Sequence, residues 1–529
     1  MPDMDMHRKV AAKRLEVISL LPPFSFFDFA EDRFEASESI RRIFSLARSS
    51  KSSCLLLEEI PAVGIVQEEI EDILERFPHY RFSGLFRLSF WKDQVSPETI
   101  EESTDNNLIG YAILKHDVTG GPYDGWHIFE AVFTKYPHHH NCVPLPKKYE
   151  LSVSGKVFSA TGILYCQQNT LNKTCAQVAL RSLLSRLLPN GDISYRTMNA
   201  IAKKADPGYV LGKGLLPLHF EKILEEFGLR FHDIDYSSDD QATDEERAEK
   251  LQLKSDSPYQ KFVYSGLESG GGALVGFCFK NAEGEERGHI IPIYGHTFNQ
   301  DNWAPDANFS YFRIGHAAGY LPSEIWTSSF IGHDDNFGPN FCIPRLYIQK
   351  ENVEYVLEIF RPGIKYSGLQ AEAIALNAFN MIIGNVHARA NRWISRLQYH
   401  SRRKRLVFRA LALSRDEYIS HLRTIVDWDN NNESVAICNF FAKEIPDFLW
   451  VVEVSTPQLF PTNQRKLGEV VLNGGEEIEN KDLSINNDLF IFARIPGYYM
   501  VAGGVDESGS PIFSEVKSNM TSHTELFRL

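Results

Sequence analysis

The chain has 529 residues, of which 43% are hydrophobic and 12% aromatic, so it is long enough for several domains with separate cores. Its formal net charge of -14 argues against a surface that binds nucleic acid generally, although a local basic patch remains compatible with it. No stretch approaches the ~18 apolar residues that cross a bilayer, and the N-terminus lacks a signal-peptide pattern, so we expect a cytoplasmic protein with no membrane partner.

The first predicted domain covers residues 1–150 and mixes helices with strands. The segment ASESIRRIFSLARSS is typical of a helix, whereas SCLLLEEI, RFSGLFRLSFW and LIGYAILKHDV are typical of strands. A break rich in proline and histidine, PHHHNCVPLPKKY, follows them. The pattern indicates a mixed α/β N-terminal domain.

The second predicted domain, residues 151–365, has helices before strands. An apolar helix is predicted from Cys175 to Leu188, and it ends at Pro-Asn-Gly, a typical stop signal. Two more helical segments and a charged insertion, SSDDQATDEERAEKLQLKSDS, precede the alternating strands GGALVGFCFK and GHIIPIYGHTF. Helices followed by antiparallel strands favour an α+β fold.

The third predicted domain, residues 366–529, begins with the helical segment LQAEAIALNAFNMIIGNVHARANRWISRLQ. Four short strands follow, FLWVVEVS, KLGEVVLN, DLFIFARI and GYYMVAGGV, with turn residues between them. We expect a helix packed on a small β-sheet.

Cys175 is the cysteine that the sequence singles out. The seven cysteines are scattered without a Cys-x-x-Cys pair, which argues against a zinc ribbon or a thioredoxin-type motif. Cys175, however, opens a helix, with Asn172 or Thr174 as its predicted N-cap. Unpaired N–H groups at a helix N-terminus favour a thiolate, so the sequence predicts a candidate nucleophile.

A thiolate nucleophile also requires a base, a group that orients the base, and donors for an oxyanion. His289 begins the strand GHIIPIYGHTF, and Asp306 comes just after the next predicted strand. Residues that face each other on adjacent antiparallel strands lie about 5 Å apart, so these two side chains could form the orienting pair. Gln167 and Gln168, upstream of Cys175, could donate a side-chain N–H to the oxyanion.

This order of residues resembles the papain-like cysteine peptidase clan, and is closest to its bacteriocin-processing branch. The shared elements are a glutamine before a cysteine that opens a buried helix, a distant Gly-His on a strand, and a later aspartate. The resemblance covers the middle region only and implies a papain-like central domain, with a helical part and an antiparallel sheet. It further implies a thiol acyl-transfer centre with Cys175 as nucleophile, His289 as base, Asp306 as orienting acid and Gln168 as oxyanion donor.

The sequence departs from the clan at several positions. Gln168 lies seven residues before Cys175, one more than is usual, and Ala176 and Ala307 stand where glycine and proline are common. The alternatives left open are Gln167 or Asn169 as oxyanion donor, His296 as base, and Asp301 or Asn302 as orienting group.

A second cluster, FIGHDDNFGPNFC, carries His333, Asp334 and Asp335. Together with other histidines of the region it could suggest a metal site, but it contains no HExxH motif. We interpret it as a turn that lines the active-site cleft or packs beneath it. No metal and no cofactor are expected.

The segment from Arg389 to Arg415 contains nine basic residues and no acid, with Trp393, Tyr399 and Phe408 interleaved. Such a run most often marks a solvated face. It could also contact the charged insertion of the same chain, an acidic partner or a nucleic-acid backbone. We expect an anionic partner here, with nucleic acid the less favoured of these.

The sequence favours a thiol hydrolase, a cysteine protease acting on a protein or peptide substrate, with flanking domains that recruit the substrate. A transglutaminase, a deamidase or an acyltransferase would use the same thioester chemistry with a different acceptor. A non-catalytic scaffold that binds an anionic partner through its basic segment is the third hypothesis.

Overall fold

The computed structural model describes most of the chain. The described residues are 4–22, 25–121, 124–134, 141–169, 171, 174–189, 191–212, 214–238, 243–280, 284–298, 319–384, 392–424, 445–461, 463–478, 489–505, 511–517 and 524–527.

The helices of the described residues mostly bury at least one face, and the polar helix Asp244–Asp256 is the exception. They are α1 (Met6–Lys9), α2 (Phe26–Phe34), α3 (Glu38–Ser49), α4 (Ile65–Arg76), α5 (Cys175–Leu187), α6 (Tyr195–Ala205), α7 (Pro217–Glu226), α8 (Asp244–Asp256), α9 (Tyr259–Glu268), α10 (Gly368–Gly384), α11 (Arg392–Arg402) and α12 (Arg415–Thr424).

The strands fall into three larger sheets and two short pairs. They are β1 (Arg14–Ser19), β2 (Cys54–Glu59), β3 (Arg81–Trp91), β4 (Leu108–Val118), β5 (Gly125–Phe133), β6 (Asn141–Cys142), β7 (Lys147–Val153), β8 (Lys156–Gly162), β9 (Phe231–Asp235), β10 (Ala273–Lys280), β11 (Glu286–Phe298), β12 (Leu321–Pro322), β13 (Thr327–Asp334), β14 (Gly338–Pro344), β15 (Val353–Ile359), β16 (Val407–Ser414), β17 (Phe448–Ser455), β18 (Arg465–Lys466), β19 (Gly468–Asn473), β20 (Phe490–Ile495), β21 (Tyr498–Val505), β22 (Pro511–Lys517) and β23 (Thr524–Glu525).

The chain folds into two compact units, each assembled from several parts of the sequence. The first contains Met1–Gly228, Leu274–Gly295 and Ile331–Ile343, and the second contains Leu229–Ala273, His296–Phe330 and Pro344–Leu529. Neither unit coincides with one of the three domains predicted from the sequence. Strands β11 and β13 each pass from one unit into the other, which local sequence patterns do not show.

The first unit contains an antiparallel sheet in the order β1-β2-β3-β4-β5. Helix α3 covers its apolar face, and its N-cap Ser37 accepts a hydrogen bond from the Ile40 N–H. Phe44 of α3 and Phe90 of β3 are fully buried and meet edge to face, with ring centroids 5.6 Å apart. These contacts form the hydrophobic core between α3 and one face of the β1–β5 sheet.

Helix α5 is buried along most of its length and is held by a cluster of buried charges. Arg181 of α5 donates to Glu130 on β5 and to Asp192 at 2.7 Å and 2.9 Å, and Arg8 donates to the same two carboxylates at 2.5 Å and 2.7 Å. All four side chains are at most 1% exposed. Burial alone would raise the pKa of Glu130, but the charges of Arg8 and His7 outweigh it, so that pKa lies well below its ordinary value. Because Arg181 belongs to the helix that begins at Cys175, this cluster fixes the position of that helix.

Replacing Glu130 with glutamine should lower the free energy of unfolding by about 3–5 kcal/mol, because two buried guanidinium groups would lose a charged partner. The measurement is a urea unfolding curve followed by far-UV circular dichroism. The matched control is Glu150→Gln, since the Glu150–Lys9 pair is exposed, and should change stability by about 0.5 kcal/mol or less. Equal effects of the two substitutions would contradict this account.

A second sheet of the first unit places β14, β13, β11 and β10 side by side in that order. Gly332 on β13 lies against Pro292 on β11, where an added Cβ would come within 2.8 Å of the Pro292 carbonyl oxygen. This close approach requires glycine. It brings the end of β13, at Asp334, next to the beginning of β11, at His289.

The second unit is built around a sheet in the order β12-β16-β17-β19-β20-β21-β22, in which β12 is parallel to β16 and the other neighbours are antiparallel. Helix α10 packs on it through a core that includes Ile374, Phe379, Phe408 and Trp450, all at most 1% exposed. In the same unit β15 pairs antiparallel with β9.

The predicted α+β class is confirmed in its coarse form, a mixture of helices with mainly antiparallel sheets. Helix α5 ends one residue before its predicted end, and β10 and β11 match the two predicted strands. The charged insertion contains α8, a helix with no buried residue, and the C-terminal strands belong to a larger sheet than expected. None of the described helices is long and apolar enough to span a bilayer.

Candidate active site

Cys175 is the first residue of α5 and its side chain is partly exposed. Thr174 precedes it as N-cap without a side-chain cap, so the first N–H groups of the helix are not satisfied by that residue. Burial is the main influence on the Cys175 thiol, and together with the nearby Asp335 carboxylate it raises the pKa to about 11. The N–H groups of Ala176 and of Cys175 itself act in the opposite direction, because they favour the thiolate.

Cys175 borders a narrow cleft within the first unit, which is too tight to hold a water molecule. Val178 and Ala179 of α5 form one wall, and Ile290 and Pro292 of β11 form another. Asp335 borders the same cleft. The nucleophile candidate and the turn after β13 therefore share one concave site.

The histidine that borders this cleft is His333. His289 precedes Ile290 on β11 and is not among the described residues that line the cleft, since successive residues of a strand face opposite sides of the sheet. The His289 side chain is 9% exposed. Its Nε2 atom is 3.3 Å from Asp334 Oδ2 and 3.4 Å from Asp335 Oδ1. Burial by itself lowers the pKa of His289, but the hydrogen bond to Asp334 and the charges of both carboxylates outweigh it and raise that pKa. The imidazole is thus held by carboxylates, as a general base requires.

The two neighbouring acids have different environments. Asp334 accepts hydrogen bonds from the N–H groups of Asn336 and Phe337 at 2.9 Å and 3.2 Å. Burial by itself would raise the pKa of Asp334, but the hydrogen bond and charge of His289 and the two N–H groups outweigh burial and lower that pKa. Asp335 is 5% exposed, and its Oδ1 atom lies 3.4 Å from His289 Nε2. Burial raises the pKa of Asp335 to about 6. Asp334 is therefore a permanent carboxylate, whereas Asp335 changes charge near neutral pH.

The three candidate oxyanion donors, Gln168, Gln167 and Asn169, have different hydrogen-bond partners. Gln168 donates from Nε2 to Asn336 Oδ1 at 3.3 Å, in the turn that carries Asp334 and Asp335. The amide oxygen of Gln167 accepts from the Ile128 N–H at 2.9 Å. Asn169 is buried and donates to Glu69 at 2.6 Å. Of these three, Gln168 is the residue with a direct contact to the turn at the cleft.

The rival base His296 belongs to the second unit, where it is fully buried. Its Nε2 atom is 2.7 Å from Glu268 Oε1, and Glu268 is also paired with Arg409 at 3.2 Å. His296 therefore has a carboxylate partner of its own inside that unit. A further histidine of the first unit, His333, is held neutral, because burial lowers its pKa to about 3.

The predicted orienting acid Asp306, its rivals Asp301 and Asn302, and the N-cap candidate Asn172 lie outside the described residues. Asp306 therefore stays a prediction. The acids that the structure places at His289 are Asp334 and Asp335, which the sequence pattern had indicated only as part of a turn near the cleft. The signal that could have identified them is their position just after a strand that pairs with the histidine strand.

One ligand atom each from His289, Asp334 and Asp335 lies within 4.8 Å of the other two, so these residues could together hold a metal ion. Three protein ligands are the number that catalytic zinc sites supply. Cys175 is not a member of this set. These residues could therefore act either as a base with its orienting acids or as the ligands of a metal ion. A chelator distinguishes the two, because it would abolish only a metal-dependent activity.

Chemically, the region contains a thiol at a helix N-terminus, an imidazole paired with carboxylates, and a side-chain amide that contacts the turn after β13, and Asp335 is the residue that connects the thiol with the imidazole. These are the groups that acyl transfer through a thioester requires. Comparison of the chain with protein-family models, with curated proteins and with solved structures found no match.

Proposed function

We propose that the protein is a thiol hydrolase, a cysteine peptidase acting on a protein or peptide substrate. The observation that supports this most is the position of Asp335, which pairs with His289 and borders the cleft onto which Cys175 opens. Cys175 is the nucleophile, His289 the base and Asp334 the acid that orients it. Gln168, which contacts the turn that carries Asp334 and Asp335, is the side-chain donor for the oxyanion, and the N–H of Cys175 is the second donor. The central part of the chain would then be papain-like in its chemistry.

The reaction begins with transfer of the thiol proton from Cys175 to His289, because the neutral thiol predominates at a pKa of about 11. The thiolate attacks the substrate carbonyl, and the amide N–H donors stabilise the tetrahedral oxyanion. The C–N bond breaks as His289 returns the proton to the leaving amine. Water, deprotonated by His289, then hydrolyses the thioester and regenerates the thiol.

The test of this proposal is the rate at which iodoacetamide alkylates each cysteine at pH 7, followed by peptide mass spectrometry. Cys342, an exposed cysteine of the same unit, serves as the internal reference. In His289→Ala the rate at Cys175 should fall about tenfold or more, and the rate at Cys342 should not change. No effect of His289→Ala on the rate at Cys175 would contradict the proposal.

Two further measurements assign the chemistry. Activity should survive dialysis against EDTA, whereas loss on dialysis and recovery with Zn²⁺ would assign His289, Asp334 and Asp335 to a metal centre. The mass of the product separates hydrolysis from transfer to an amine acceptor, because a transglutaminase or acyltransferase resolves the same thioester without adding water.

A further inference from the structure

The basic segment between residues 389 and 415 is not one surface. Arg409 is buried, 3% exposed, and pairs with Glu268 and Glu453 inside the second unit. Arg415 pairs with Asp447. Arg389 lies outside the described residues. Among the described residues of this segment, the exposed basic groups are therefore those of α11 and the turn after it.

We call this surface the α11 face. Its six basic side chains are all exposed, and none of them forms an ion pair with a carboxylate of the described residues: Arg392, Arg396, Arg402, Arg403, Lys404 and Arg405. The pKa of the neighbouring His400 is lowered, mainly by burial and in addition by the positive charges of Arg405 and Arg403. The second effect is expected beside cations that have no carboxylate partner. The face therefore carries a positive potential that no described part of the chain neutralises.

Aromatic rings lie among these cations. The Arg403 guanidinium lies 4.2 Å from the centroid of the Tyr399 ring, and the Arg396 guanidinium lies 5.1 Å from that of Trp393. Tyr399 is 51% exposed. Trp393 is partly buried against the core of the second unit, so Tyr399 with Arg403 is the exposed pair on which a nucleobase can stack.

Helix capping accounts for only part of this charge. Lys404 has a φ of 55°, and the Arg405 N–H bonds to the His400 carbonyl, so α11 ends in a left-handed cap where cations oppose the negative end of the dipole. Arg392, by contrast, is the first residue of α11, where the dipole disfavours a cation. Its presence there is not explained by helix stability.

We propose that the α11 face binds single-stranded nucleic acid. Five of the six cations are arginines, which bind phosphate through a planar fork and stack on bases. The apolar residues Ile394 and Leu397 are buried, so the helix has no free apolar face to insert into a membrane. An acidic protein would satisfy the charges but would make no use of the stacked aromatic rings.

The experiment is fluorescence anisotropy of a labelled 20-nucleotide single-stranded RNA titrated with the full-length protein. Affinity should fall about 100-fold between 50 and 200 mM NaCl, since each neutralised phosphate contributes about -0.7 to the slope of log K against log salt. Arg392→Gln/Arg396→Gln/Arg403→Gln should reduce that slope by about 2. Tyr399→Leu should weaken binding about tenfold through loss of stacking, without changing the slope.

The matched control removes the same number of exposed charges from the first unit, Lys13→Gln/Arg48→Gln/Lys203→Gln, and should bind RNA like the wild type. Circular dichroism of both triple variants checks that they are folded. The salt dependence is measured on the wild-type protein, so that part of the test does not depend on the folding of any variant. No binding of RNA at 50 mM NaCl would overturn the proposal. So would equal affinity for polyglutamate, or preferential binding to vesicles containing phosphatidylserine, because each would show that stacking on bases plays no part.

Discussion

Cys175→Ala should lower kcat/KM for a cleaved peptide by about 10⁴-fold or more, because the sulfur forms the covalent bond to the substrate. The other thiol that borders the cleft, Cys166, is buried, and burial raises its pKa to about 12. Cys175 is only partly buried, and alanine keeps the helix-forming tendency at the start of α5. The midpoint of thermal unfolding should therefore change little. The measurement is turnover of a quenched-fluorescence peptide library, together with a thermal unfolding curve of each variant.

The control substitution is Cys342→Ala, which removes an exposed thiol from β14 of the same unit and should leave turnover unchanged. Cys175→Ser adds a second comparison, since serine keeps the shape but has a much higher pKa. Retention of a tenth or more of the wild-type turnover in Cys175→Ala would assign the activity to another group. A large loss of thermal stability in the same variant would instead indicate a structural role for the thiol.

Local patterns in the sequence predicted the elements that local forces determine. The start of α5 follows from an apolar periodicity that begins at Cys175, and β10 and β11 follow from alternating residues between turns. The strands β17, β19, β20 and β21 were likewise found from short apolar runs. Each of these features depends on residues that are close together in the chain.

The partners of His289 could not be predicted in the same way. They depend on β13 pairing with β11, a contact between distant segments of the chain that no local pattern indicates. The same holds for Arg409, which the sequence groups with exposed arginines and which the fold buries against Glu268 and Glu453. A charge run gives the sign of a surface, but only packing decides which of its members reach that surface.

The adjacent pair Asp334 and Asp335 allows a test in which two isosteric substitutions have different outcomes. Asp334→Asn should reduce kcat by about 10²–10⁴-fold, because an amide in place of the carboxylate no longer stabilises the imidazolium of His289. Asp335→Asn should keep turnover within about tenfold of the wild type, since Asp334 still holds the base. Equal losses in both variants would contradict the assignment of Asp334 as the orienting acid.

The dependence of alkylation on pH separates the two acids independently of turnover. Below pH 6 Asp335 is protonated and neutral, and above it the carboxylate adds a negative charge that disfavours the Cys175 thiolate. The logarithm of the alkylation rate in the wild type should therefore rise less steeply between pH 6 and pH 7 than in Asp335→Asn, and the two rates should converge below pH 6. Asp334→Asn should keep an inflection but move it to lower pH, because the negative charge of Asp334 is constant over this range and helps to raise the pKa of Asp335. An identical profile in Asp335→Asn and the wild type would show that this carboxylate does not act on the thiol.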